Sequence, residues 1–186
     1  MGLAPVARDV RAARPERGDR MRIVKVVLGV LLLAVVLLAG GLLLNRLPLN
    51  DPPGSFVRLY TYLNTHVAET IEGSPFPELR PRQYTLAADP LFAKVKEAVG
   101  RLPRWQITES SDERRELHAV VTSALFRFGD DVLVTVVPQP GGKPAVMIHA
   151  VSRVGKGDLG TNTRHVLDLY GMLEQVGAHG EVERMH

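Results

Sequence analysis

The densest run of chemically capable residues is Ser152-Arg153-Val154-Gly155-Lys156-Gly157-Asp158-Leu159-Gly160-Thr161-Asn162-Thr163-Arg164-His165. Within it, Gly155 to Gly160 match Gly-x-Gly-x-x-Gly between an expected strand and an expected helix, the setting of a dinucleotide fingerprint. That fingerprint needs a βαβ unit. Only 26 residues follow Gly160, enough for one helix and a tail, and the strands before it are hairpin-linked. No Gly-Lys-Ser/Thr closes the run, so it is not a P-loop either. A helix N-terminus flanked by Arg153, Lys156, Arg164 and His165 could instead hold an anion such as phosphate or carboxylate. The competing expectation is structural. Asp158 and Asn162 would cap the turn, Gly155 and Gly160 would supply positive φ, and Arg153 or Arg164 would pair with Asp158.

Other groups offer less. Asp130-Asp131 after Gly129 could give oxygen ligands to a cation, but two adjacent carboxylates without further spaced acids make a poor calcium or magnesium signature. A solvated hairpin turn, with Asp131 bonded to Arg153, is the plainer expectation. His118 and His149 are expected to face each other across adjacent strands, with no third ligand placed for zinc. Ser152, His149 and Asp158 have the residue types of a triad but lack a nucleophile elbow, and His149 lies three residues from Ser152 in one strand. No metal, cofactor or catalytic residue is expected from these patterns. Cysteine is absent, which excludes disulfides, Cys-ligated metals and a cysteine nucleophile.

The elements that position these residues follow from the hydropathy pattern. Val26 to Leu44 is a run of 19 Leu, Val, Ala and Gly residues. At about 1.5 Å per residue it spans roughly 28 Å, close to the hydrocarbon thickness of a bilayer. It is longer than a signal-peptide core and offers no good cleavage site, so it reads as an uncleaved anchor. Residues 1–25 carry seven Lys/Arg against three Asp/Glu. The positive-inside rule puts them in the cytoplasm and the rest of the chain outside. Residues 1–25 are expected to be disordered, and Met21 is an alternative start that leaves the anchor intact. From Arg46 onward 16 Lys/Arg face 17 Asp/Glu, so the sequence pI near 9.4 does not point to nucleic acid.

Residues 45–75 read as a Pro-rich linker and an amphipathic helix from Ser55 to about Ile71. Phe56, Leu59, Tyr60, Leu63, Val67 and Ile71 form its apolar stripe, and Arg58, Thr61, Thr65, Glu69 and Glu72 lie on its polar face. That acidic polar face argues against a membrane-surface helix and for packing on the domain or a partner protein. Residues 76–177 read as β-α-β-β-β-β-α: a strand at Gln83 to Ala87, a helix from Asp89 to Leu102, a strand from Trp105, and a three-stranded meander. The meander is expected to run from Glu116 to Phe128, turn at Gly129-Asp130-Asp131, and continue as Val132 to Val137 and Ala145 to Ser152. A last helix covers about Thr163 to Val176, and residues 178–186 form a polar tail. The fold class is α+β, an antiparallel sheet of four to five strands with two packed helices.

The stretch from about Phe76 to Glu174 resembles domain-of-unknown-function family 1499, found in bacterial envelopes and plastids. The resemblance rests on Phe126-Arg127-Phe128-Gly129-Asp130-Asp131-Val132 and on Ser152-Arg153-Val154-Gly155-Lys156-Gly157-Asp158-Leu159-Gly160-x-Asn162-x-Arg164. Family members usually carry Ser where this chain has Gly157, which makes the dinucleotide-like spacing a local feature of this sequence. The resemblance implies that Asp130, Asp131, Arg153, Asp158, Asn162 and Arg164 matter together, as a site or as a rigid loop. It implies no reaction. The expected function is a non-enzymatic binding or interaction module on the outer face of the cytoplasmic membrane, single-pass. Its expected partner is an envelope protein, anionic lipid or glycan, not nucleic acid. The alternatives are an envelope hydrolase using Asp130, Asp131, Asp158 and His149 around a metal or a water, or a small subunit of a membrane complex.

Overall fold

The computed structural model describes residues 17–123, 127–139 and 142–182. Two compact units make up the chain, Met1–Ala39 and Gly40–His186. The first described element is helix α1, Arg17–Leu44. Residues 17–25 are therefore helical rather than disordered; the expectation for residues 1–16 falls outside the described residues. Within α1, Gly18–Leu43 is long and apolar enough to cross a membrane, and its Val and Leu side chains are exposed.

After a linker, helix α2 covers Ser55–Asn64. This corrects the expected end near Ile71. The apolar spacing continues, but the chain leaves the helix and forms strand β1, Val67–Glu69, antiparallel to a later strand. A 3-10 turn at Pro77–Leu79 leads into strand β2, Arg82–Tyr84, shorter and earlier than expected. Helix α3 is Ala88–Arg101, and Leu102 and Pro103 end it. Asp89 lies inside its first turn, not at the cap, and bonds Arg115.

Strand β3 is Trp105–Ser111, β4 Glu116–Thr122, β5 Gly129–Val137 and β6 Ala145–Ser152. Two expectations change here. Strand β4 stops at Thr122, well before Phe128. Asp130 and Asp131 lie in β5, not in a turn, because each pairs on both sides: Asp130 with Val121 and Ser152, Asp131 with Val120 and Val151. Helix α4 is Thr161–Gln175, and strand β7, Gly180–Val182, lies where a polar tail was expected.

The architecture is α+β with an antiparallel sheet, but the sheet has seven strands. Its order is β3-β4-β5-β6-β2-β7, and β1 also pairs with β6. Strand β6 gives Ala145 and Val146 to β2 and His149 to Val151 to β1, so two short strands share one edge of it. Alternation fixes the two faces. Leu117, Ala119, Val121, Val132, Val134, Val136, Val146, Ile148 and Ala150 point inward, buried against Leu91, Val95 and Val99 of α3 and Val166, Leu169 and Leu173 of α4. His118, Val120, Asp131, Leu133, Met147 and His149 point to the opposite face and are half-exposed.

Candidate functional site

The inward face becomes polar at one end. The pattern that places Val132, Val134 and Val136 inside also places Asp130 inside, where it is 2 % exposed. Its neighbour across the ladder is Ser152, the last inward residue of β6. Helix α4 brings two side chains to this end from one face, three residues apart. His165 Nε2 lies 2.9 Å from Asp130 Oδ2. Asn162 Nδ2 donates to Ser152 Oγ at 2.9 Å and to the His66 carbonyl at 2.8 Å. Asn162 Oδ1 is buried and has no hydrogen-bond partner among the described residues. The edge of Trp105 meets the His165 ring at a centroid distance of 5.8 Å.

Asp131, one residue on, points to the other face and takes a bidentate bond from Arg153, at 2.6 and 2.8 Å. The Arg153 hydrogen bond, outweighing slight burial, holds the Asp131 carboxyl below its usual range. Adjacent strand residues project to opposite faces, so Asp130 and Asp131 are not brought to one site. Asp158 lies near enough to Asp130 to feel its charge, but it takes its bonds from the backbone of Gly160 and Asn162. His118 and His149 are not on adjacent strands: each stands opposite Leu133, one on either side. Among the described residues, no three His, Asp or Glu gather as metal ligands do.

The loop before α4 is bound into the fold by its own charged residue. Asp158 accepts from the backbone N–H groups of Gly160 at 2.8 Å and Asn162 at 2.9 Å, both otherwise orphaned at a helix start. Burial pushes the Asp158 carboxyl up, and those two backbone bonds work against the rise. Neither Arg153 nor Arg164 pairs with Asp158: Arg164 bonds Asp168 one turn along α4. Asn162 does not cap the turn with its side chain, which points into the polar cluster. Gly155 and Gly160 have φ of +98° and +77°. Lys156 is exposed at the loop tip.

The same loop clasps the residues that follow α1. Asn45 Nδ2 donates to the Leu159 carbonyl at 2.9 Å. The Leu159 N–H donates to the Tyr62 carbonyl at 3.0 Å, and the Asp158 N–H to Thr65 at 3.1 Å. A Cβ on Gly157 would run into the Leu63 carbonyl, so the end of α2 approaches this backbone more closely than a side chain would permit. Periodicity could not show this clasp, because it joins positions about a hundred residues apart.

Sequence reasoning also missed Arg58. It is fully buried under α2, and all five of its N–H groups are taken. Nε donates to the Asp51 carbonyl, Nη1 to Tyr62 Oη and Glu78, and Nη2 to the Pro52 carbonyl and Glu78. Burial opposes its charge, but the bonds to Glu78 and Tyr62 outweigh it and raise its pKa.

Open clefts lie among the described residues. One, of about 560 Å³, is lined by Gly40, Leu43, Arg46 and Arg164. Another, of about 330 Å³, is lined by Arg104, Thr122, Ser123 and Arg127. Residues 57–173 match the model of a protein family whose description is protein of unknown function, DUF1499. No curated protein matches the chain.

Proposed function

The chain belongs to the DUF1499 family, and from that premise we propose that it is a single-pass membrane protein whose α+β domain is a non-enzymatic interaction module outside the cytoplasmic membrane. One observation carries the reading. The loop richest in chemically capable residues spends its Asp158 and Asn162 on internal bonds and ties the stretch after α1 to the domain. Such a loop serves to fasten the stretch that follows the apolar helix within the domain. An apolar helix with its Leu and Val side chains exposed supports the anchor, because a soluble core helix would bury them. The seven basic residues before it support an outward domain.

The ligand surface we assign to the exposed cationic edge of this loop: Lys156, with Arg153 and Arg164, whose guanidinium groups stay partly open beside Asp131 and Asp168. Its partner is an envelope protein, anionic lipid or glycan. An envelope hydrolase receives less support, since Asp131 points to the opposite face from Asp130 and Asp158 is engaged by the backbone N–H groups of Gly160 and Asn162. The test is purification of the tagged full chain from membranes in mild detergent, comparing wild type with Arg153→Ala/Arg164→Ala. Loss of a co-purifying partner from a variant that keeps its circular dichroism and melting temperature is expected. Equal capture by both would overturn the assignment of the surface.

A further inference from the structure

The hydrophobic spacing of α2 predicts that Phe56, Leu59, Tyr60 and Leu63 pack on the domain or on a partner protein. They face solvent. Phe56 is 84 % and Tyr60 62 % exposed, with Val57, Leu59 and Leu63 also open, while Arg58 and Tyr62 are buried beneath. Slack packing does not account for this. Arg58 is bonded through five N–H groups to Glu78, Tyr62 and the carbonyls of Asp51 and Pro52, so the helix cannot roll its apolar side inward without stripping a buried guanidinium. Of the nine large apolar residues exposed after Arg46 among the described residues, five lie on this one helix. Exposed apolar groups gathered this way mark a contact surface.

Resting on the membrane-anchored reading above, we infer that α2 lies in the bilayer interface with Phe56, Leu59, Tyr60 and Leu63 among the lipids. Three observations choose lipid as the occupant. Ten residues separate the end of α1 from the start of α2. Those ten residues are not a free tether: Asn45 is bonded to Leu159, and Asp51 and Pro52 to Arg58. Leu159 accepts from Asn45 and donates to Tyr62, so one residue joins the exit of the apolar helix to α2. An element held that close to a membrane exit falls within the headgroup zone, which adds about 5–8 Å on each side of the hydrocarbon. Finally, α2 contains no acidic residue, and its one charge, Arg58, is buried. Glu69 and Glu72, which would have given a membrane-facing helix an acidic flank, lie beyond its end. Phe and Tyr are the side chains suited to that depth.

The absence of cysteine makes the test direct. Phe56→Cys, Tyr60→Cys and Glu109→Cys in the full chain are labelled with a polarity-sensitive fluorophore and reconstituted into phosphatidylcholine/phosphatidylglycerol vesicles. Glu109, on the edge strand β3, reports water. Labels at 56 and 60 should be quenched by acyl-brominated lipid, and quenched at least about threefold less by iodide than the label at 109, as expected for a buried apolar face. Iodide quenching at 56 and 60 equal to that at 109, in protein that resists carbonate extraction, overturns the inference and leaves the anchor standing. Shielding from iodide without lipid quenching also overturns it, in favour of a protein contact or a second copy. Extraction by carbonate overturns the anchor itself.

Discussion

Arg58 and Glu78 are 20 residues apart in sequence and form a buried ion pair. Removing one member of such a pair strands the other charge and costs about 3–5 kcal/mol, whereas replacing both by apolar groups is much less costly. Arg58→Met should therefore lower the urea midpoint of the detergent-solubilised chain sharply, and Arg58→Met/Glu78→Leu should recover most of the loss. A single variant as stable as wild type would remove Arg58 from the organisation of α2. Asp131 and Arg153 behave differently, being about half exposed. Arg153→Ala should leave the urea midpoint nearly unchanged, since exposed ion pairs contribute little. It should also return the Asp131 carboxyl toward 3.8 from below, followed by carboxyl NMR. The sign is fixed by that depression: the pair stabilises above Asp131's ordinary pKa and loses its contribution as pH falls through the lowered one. The two arginines were not equally legible. Arg153 follows from strand alternation, since the Asp131 pairing needs only adjacent strands. Arg58 does not, because periodicity assigns an arginine on an amphipathic helix to water, and its partner is named only by the tertiary fold.

At the scale of elements, β6 was readable to the residue, since its alternation and flanking turns agree with its central place in the sheet. Strands β1, β2 and β7 were not, because three residues carry no pattern of their own and exist through pairing with distant partners. The Gly-Asp-Asp turn signal at 129–131 lost to ladder bonds on both sides of β5. Helix α4 shows the opposite balance, with its start fixed locally by Asp158. Asp158→Ala should cost about 1 kcal/mol of stability at neutral pH through the lost cap. The pH dependence has the reverse sign from Asp131. Burial raises the Asp158 pKa, so its contribution is greatest below its ordinary 3.8 and falls as pH rises through the raised value. Asp158→Asn should flatten that decline in the urea midpoint between acid and neutral pH. A decline unchanged by the substitution would assign it to another carboxyl. Gly157→Ala presses a methyl group on the Leu63 carbonyl. It should loosen α2 from the loop, seen as faster proteolysis near Leu63 with the sheet still folded.

For the whole molecule, the charge of the chain divides unevenly, and the division makes a statement about orientation. The net +3 conceals seven basic against three acidic residues before the apolar run and a slight acidic excess after it. A basic flank within about 15–20 residues of a spanning helix is retained on the cytoplasmic side. The folded domain contributes no competing charge bias, and its α2 exposes no Lys or Arg that would hold it to a cytoplasmic leaflet rich in anionic lipid. On the proposed single-pass reading, orientation is set by that flank and should be reversible by changing it. In intact spheroplasts, Glu109→Cys should react with a membrane-impermeant maleimide, and a cysteine placed at Ala7 should react after permeabilisation only. Replacing Arg17, Arg20, Arg22 and Lys25 with Gln should weaken this preference, so that a measurable fraction of chains exchanges the two labelling patterns. Labelling at Ala7 in intact cells with the wild-type flank would place the domain in the cytoplasm. The partners of the Arg153, Lys156 and Arg164 edge would then have to be sought there.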